Sequence, residues 1–366
     1  MNSLSEYKDI VAFHPGYYIT EVIEDLGISQ AEFAKRLGTT GKTLSKLVNG
    51  QINLSNEIAK KLAAMLGTSV ELWVNLQATY DQKVIEIERE RDLDEQIEVV
   101  KQLDYSYFVN VAGLPQTKDA REKVSNLCKY FMVSDLRILG EQDFLVNMWP
   151  DISTIEARHV INSRAWIQTA INYSGNIKTD PFDSERLKRY LPELRSMTVK
   201  EPVDFMPRIQ QAFSECGIAF VLLPHLRNSE VSSAVKWVSS DRVVLAMNNR
   251  GLDTEKFWVS LFREIKHVLQ QKVKTIFVNS SDTKMQSTDE ELDTEADKFA
   301  MNCLIPPSKL KAFAPNKQTS DEEISSFAES IGIHPGIVAG RLQRDKIISS
   351  SRCNKLKDKY IIDFPE

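Results

Sequence analysis

Cysteine and histidine are scarce in this chain, four and five of 366 residues. The cysteines, Cys128, Cys216, Cys303 and Cys353, lie far apart with no C-x-x-C pair, which argues against both a zinc ribbon and a disulfide framework and predicts reduced packing residues. No stretch approaches the roughly 18 consecutive apolar residues of a membrane helix. The opening MNSLSEYKDIVAF has no basic region followed by an apolar run, so the expected location is the cytoplasm and no membrane contact is expected. Internal repeats and low-complexity segments are absent. Positive charge is in overall deficit, −5 at pH 7, which would argue against nucleic acid if the charge were evenly spread. What the chain does have is 42% hydrophobic residues, enough to build the cores of two or three domains.

The charge is not evenly spread. Between Lys35 and Lys61 stand six basic residues (Lys35, Arg36, Lys42, Lys46, Lys60, Lys61) against one acid, Glu57, a local balance of +5 and the footprint of a phosphate-backbone binder. The same region reads as five short helices, 16–26, 29–37, 40–48, 55–66 and 69–80. Ser29 and Ser55 serve as N-caps, glycines 27, 38, 50 and 67 mark the stops, and Leu26, Phe33, Leu37, Leu44, Leu47, Leu62 and Leu66 recur at helical spacing. Within SQAEFAKRLGTTGKTLSKLVNG, 29–50, Gln30 opens one helix, Ala34 is small where two helices cross, Gly38 turns the chain and a second helix begins at Thr40. A helix that reads a major groove must keep its outward face free of bulky apolar groups. Thr40, Gly41, Lys42, Thr43, Ser45 and Lys46 satisfy this while Leu44 and Leu47 face inward, and Gln30 and Asn49 are placed to hold phosphates.

Residues 14–81, from HPGYYITEVIEDLGISQAEFAKRLG to GTSVELWVNLQATYD, resemble the Xre/Cro-type, lambda-repressor-like domain of HigA-type antitoxins. The resemblance implies a homodimer on a palindromic operator in double-stranded DNA, commonly in its own promoter, and a cognate toxin encoded beside it as a further partner. The expected organisation is a helix-turn-helix domain over 1–81, a charged connecting helix over 82–104, a helical middle region over 105–200 with Trp149 and Trp166 as core anchors, and a peptidase-like domain with a helical tail over 201–366. The fold class is mainly α with a small β-sheet (α+β). Its strands are IAFVLL, SAVKWV and RVVLAM, followed by helices near 253–270, 289–304, 321–331 and 335–343.

The second motif is FREIKHVLQ, 262–270, which has the shape of the zinc-peptidase signature H-E-x-x-H with Glu264 and His267 in place and Arg263 where the first histidine belongs. In such enzymes two histidines one helical turn apart bind zinc, the glutamate is general base, and a third ligand arrives from another helix. On EELDTEADKFAMNCLIPP, 290–307, a stripe of Leu292, Ala296, Phe299 and Cys303 leaves Glu295 about 60° from its centre and Glu291 about 100° away, so Glu295 is the expected third side chain and Glu291 the alternative.

The segment 201–345 resembles the ImmA/IrrE metallopeptidases fused behind HigA-like domains, and the resemblance implies a zincin-like fold with ligands at position 263, His267 and Glu295 and with Glu264 as base. Arginine departs from this, since a guanidinium offers donors only and no lone pair for a metal, and Lys266 adds a second cation nearby. The expectation is therefore a pseudopeptidase with no cofactor, or with zinc only if the degenerate site still binds metal, in which Arg263 replaces the metal's charge by pairing with Glu295 or Glu264. His14, His159, His225 and His334 have no partner at ligand spacing and read as structural residues. Two other readings stand beside this one: an active zinc metallopeptidase that cleaves a regulator, and a repressor that senses a small molecule or peptide.

Overall fold

The computed structural model describes residues 4–142, 144–145, 155–273, 275–280, 289–313 and 315–361, and Trp149 lies outside them. The chain divides into two compact units, Met1–Glu98 and Val99–Glu366. Unit 1 opens with a hairpin, β1 (Leu4–Tyr7) and β2 (Ile10–Phe13), that the sequence reading did not anticipate. No glycine marks its two-residue turn, because Lys8 itself takes the left-handed conformation at φ 53°.

Four helices follow close to their expected places: α1 (Pro15–Asp25), α2 (Gln30–Leu37), α3 (Gly41–Val48) and α4 (Asn56–Leu66). Ile19, Phe33, Leu37, Leu44, Leu47, Leu62 and Trp73 form the core. Leu26, expected among them, is exposed because α1 ends one residue before it. The expected break near residue 80 is absent. A single helix α5 (Val70–Gln102) runs 33 residues, since no glycine or proline interrupts it and its charged residues are good helix formers. The hairpin anchors to its far half, where Asp94 accepts from the Tyr7 hydroxyl at 2.5 Å and pairs with Lys8 at 2.7 Å.

His14, expected as a structural residue, has a defined role. It is the N-cap of α1, its Nδ1 accepting from the Gly16 amide at 2.9 Å, and the ring is fully buried against Tyr80. Burial lowers its pKa, outweighing the Ile52 carbonyl and Asp81 that favour the charged form. A histidine whose folded-state pKa is depressed contributes stability that is present above its unfolded value of about 6.5 and lost as pH falls below it. Unit 1 should therefore lose stability as pH falls below about 6.5, and His14→Asn, which can still cap, should flatten that dependence in urea titrations of the full chain.

Unit 2 contains α6 (Tyr105–Ala112), α7 (Ala120–Phe131), α8 (Ala157–Ser174), α9 (Ser184–Ser196) and α10 (Pro202–Ser214), then β3 (Ile218–Leu223), β4 (Val231–Ser239), β5 (Arg242–Asn248), α11 (Thr254–Leu269), β6 (Ile276–Ser280), α12 (Glu290–Leu304), α13 (Pro307–Phe313), α14 (Asp321–Ile331) and α15 (Pro335–Arg344). The sheet order is β3-β5-β4-β6, with β3 and β5 parallel and the other pairs antiparallel. Strand β6 was not expected, being a short run without alternation.

One face of the sheet, through Ile218, Phe220, Val235, Trp237, Val243, Leu245 and Phe277, joins the core with α11 and α12. Alternation leaves Ala219, Val221, Ala234, Val244 and Ala246 for the opposite face. The helices over 105–200 share this unit: α8 packs on β3, β4 and β5, and Tyr107 and Trp166 both donate to the Pro224 carbonyl at 3.0 Å. Helix α11 is buried on nearly all sides, which is what places charged side chains inside the protein.

Candidate functional site

The helix-turn-helix is built from local signals. Ser29 caps α2 by accepting from the Glu32 amide, and Thr40 caps α3 by accepting from the Thr43 amide. Between them Gly38 sits at φ 66°, a left-handed turn that few other residues reach cheaply. Leu44 and Leu47 are fully buried, while Gly41, Lys42, Lys46 and Asn49 are exposed and Thr43 and Ser45 half-buried. The outward face is therefore polar and narrow, as a groove-reading helix requires.

Three of the anticipated roles are modified by contacts. The Thr40 hydroxyl is committed to its cap and to the Thr43 hydroxyl, 2.8 Å away. The Asn49 amide donates to the Ser45 carbonyl at 2.7 Å, closing the end of α3. Lys61, counted in the basic patch, reaches the Gly38 carbonyl at 2.9 Å and Glu57 at 2.8 Å, so it fastens the turn, and Arg36 pairs with Glu32 at 3.0 Å. The exposed cations of the patch without an ion pair among the described residues are then Lys35, Lys42, Lys46 and Lys60. Gln30, at the first position of α2, has a buried Nε2 without a partner among the described residues, a free donor at a helix N-terminus.

In unit 2 the FREIKH segment lies on α11. The Arg263 side chain is 10% exposed, its Nη2 2.9 Å from Asp293 Oδ1, its Nε 3.0 Å from Asp297 Oδ1 and its Nη1 3.7 Å from Glu264 Oε1. Glu264 is fully buried and accepts from the Ser233 hydroxyl of β4 at 2.7 Å, with Oε2 unpartnered among the described residues. His267, also buried, stacks on Phe277 of β6 at 4.1 Å, with Nδ1 2.9 Å from Gln270 Oε1 and Nε2 3.2 Å from Asp293 Oδ1.

Glu295 is not part of this cluster, and the expected pairing of Arg263 with it is wrong. It is exposed and held by Lys266 at 2.9 Å and by Gln270, which together lower its pKa. Glu291 is exposed as well. The buried stripe of α12 is Ala296, Ala300 and Leu304, not the larger residues, because small side chains let α12 approach α11 closely. On that corrected wheel Asp293 lies about 20° from the centre of the buried stripe and Glu295 about 140° away. Asp293 and Asp297 were missed. Their spacing from Ala296 and Ala300 was the available signal.

Zinc does not fit this donor set. Position 263 supplies a cation in place of a lone pair, and the carboxylate that reaches inward, Asp293, is bonded by that same guanidinium. Among the described residues no three His, Cys, Asp or Glu side chains are grouped to hold a metal ion. No described helix is long and apolar enough to cross a membrane.

Two family models match the chain: helix-turn-helix over residues 19–73 and the IrrE N-terminal-like domain over 225–343. The uncharacterized HTH-type transcriptional regulator YddM of Escherichia coli K12 is 34% identical over 83 residues, 22% of this chain and 88% of that protein. Antitoxin HigA-1 of Vibrio cholerae is 39% identical over 61 residues, 17% of this chain and 57% of its own length. A Pseudomonas aeruginosa protein solved in complex with its operator DNA has 26% identity and a TM-score of 0.21, covering 23% of this chain and 90% of that one. The chain thus belongs to the HTH-type transcriptional regulators, a DNA-binding regulator with HigA-antitoxin relatives that carries an IrrE N-terminal-like domain behind its helix-turn-helix.

Proposed function

We propose that the protein is a repressor of the antitoxin type that binds a palindromic operator as a two-fold dimer, with unit 2 a pseudopeptidase that engages a partner, a toxin encoded beside it foremost, without cutting it. The observation that carries the second half is the buried guanidinium of Arg263 on Asp293 and Asp297, in the place where the peptidase signature puts a metal ligand. A divalent cation and this guanidinium compete for one carboxylate oxygen, and the guanidinium is covalently attached. The first half is supported by the polar outer face of α3 and by the likeness to an antitoxin.

Footprinting of the region upstream of the gene should give half-sites spaced by about 34 Å or a multiple of it, and no protection there would remove autorepression. Lys46→Ala should weaken binding to every sequence and lower the salt slope by about one, since a phosphate contact carries no base information. Protein purified without chelators should carry substoichiometric zinc by elemental analysis. One full equivalent of zinc, together with proteolysis abolished by Glu264→Gln, would establish the active-peptidase reading in its place.

A further inference from the structure

Strands β3 and β5 run parallel and in register, Leu223 opposite Asn248, and both strands leave the sheet at the same end. Two residues beyond each carboxyl end stand His225 and Arg250, side by side at equivalent positions. The crevice outside the carboxyl ends of parallel strands is where sheets of this kind take ligands, because no side chain of the sheet itself fills it and a following helix closes one wall. Here that helix is α11, whose first two turns contribute Lys256 and Ser260. The resulting cavity has a volume of about 460 Å³, within the range of pockets that hold small metabolites.

Its donors are only lightly committed. Nδ1 of His225 is buried and has no hydrogen-bond partner among the described residues, although the residue's backbone amide is tied to Asn249 Oδ1. Arg250 makes no ion pair among the described residues. Lys256 makes only an exposed 3.8 Å approach to Asp253 and a bond to the Gly251 carbonyl. Ser260 faces the cavity with no described partner. The one lining carboxylate, Glu230, is turned to His159 at 3.0 Å. Two cations, an orphaned imidazole nitrogen and a hydroxyl thus converge on a space with one acid, and that acid already has the His159 ring beside it. A buried donor without a partner is costly to leave unmet, which makes it a marker of something that binds there.

We propose that this crevice binds a small oxyanion-bearing metabolite, with Arg250 and Lys256 pairing with its carboxylate or phosphate group and His225 and Ser260 donating to its oxygens. Burial first, and then the charge of Arg250, hold the His225 pKa below its ordinary value, so the ring that meets the ligand is a neutral donor. The site goes beyond the repressor reading. It shares no charged side chain with the Arg263 cluster, so zinc content tests that reading and anion binding tests this one.

The experiment is calorimetric titration of the full-length protein with sodium phosphate and, separately, sodium succinate, at ionic strength held constant with sodium chloride. Saturable binding of one probe or the other is expected, and which one binds distinguishes a phosphate from a carboxylate ligand. The Arg250→Gln/Lys256→Gln double variant should weaken it by about tenfold or more, as the loss of charge-assisted hydrogen bonds requires. Both side chains are on exposed residues, so the fold should persist, and near-UV circular dichroism checks it. Ser260→Leu, which fills the space without altering charge, should abolish binding, and Arg227→Gln, an exposed cation outside the lining, should leave it unchanged. No saturable binding of either probe at millimolar concentration, or equal weakening by Arg227→Gln, would overturn the proposal.

Discussion

Arg263→Ala is expected to destabilise unit 2 by about 3–5 kcal/mol, the cost of removing the guanidinium from a buried charge cluster. Glu264 is wholly buried and keeps, among the described residues, only the Ser233 hydroxyl, and Asp293 is 15% exposed, so neither can recover its hydration in place. Asp297 is 57% exposed and contributes little to the loss. Lys266→Ala, which breaks the exposed pair with Glu295, is the control and should cost under about 1 kcal/mol. Tryptophan fluorescence during urea unfolding follows unit 2 selectively, since four of the five tryptophans lie beyond residue 98. A loss below about 1 kcal/mol for Arg263→Ala would mean that the guanidinium is peripheral to the cluster. Arg263→His goes further: the introduced imidazole would stand one turn from His267 and beside Asp293, which makes three donors, and that variant should acquire about one equivalent of zinc where the wild type does not. Continued absence of zinc would show that the backbone of α11 and α12 no longer holds metal geometry.

Gly16→Ala is expected to cost unit 1 about 2–3 kcal/mol and most of its specific DNA affinity. A Cβ at Gly16 would overlap the Leu47 carbonyl oxygen and lie 2.8 Å from Val48 Cα, both backbone atoms of the last turn of α3. The recognition helix must then move away from α1, and its outward residues leave their register with it. Gly41→Ala is the informative contrast. That glycine is the first residue of α3, its φ is ordinary and nothing lies within 4 Å of a Cβ built there, so the fold should be unharmed or slightly stabilised. If the N-terminal turn of α3 approaches DNA closely, operator affinity should still fall. Urea unfolding and gel shifts on the same two variants separate the effects. A fully stable Gly16→Ala protein would contradict the close packing of α1 on α3.

Much of unit 1 was legible because its information is local. A serine or threonine three residues before a free amide, a glycine at a left-handed turn and leucines at helical spacing act within a few residues, and they placed α1 to α4 within a residue or two. Strands β3, β4 and β5 were legible for the same reason, each a short apolar run bounded by turn residues. The hairpin β1–β2 was not, because its turn uses a left-handed lysine where sequence patterns look for glycine or asparagine.

The peptidase-like cleft divides the same way. From the sequence alone came the position and chemistry of Arg263, Glu264 and His267, since one guanidinium in H-E-x-x-H can be read off without coordinates. Tertiary packing alone decided which carboxylates meet it. The phase of α12 about its own axis depends on which residues its neighbour accepts, and α11 accepts Ala296, Ala300 and Leu304, turning Asp293 inward, leaving Asp297 at the exposed edge within reach of Arg263, and sending Glu295 out to Lys266. Packing likewise brought α8 onto the sheet and set His225 beside Arg250, contacts between residues far apart in the chain. The sequence determined the local elements and the kinds of groups they carry. Only burial, which depends on every neighbour at once, decided which of those groups face one another.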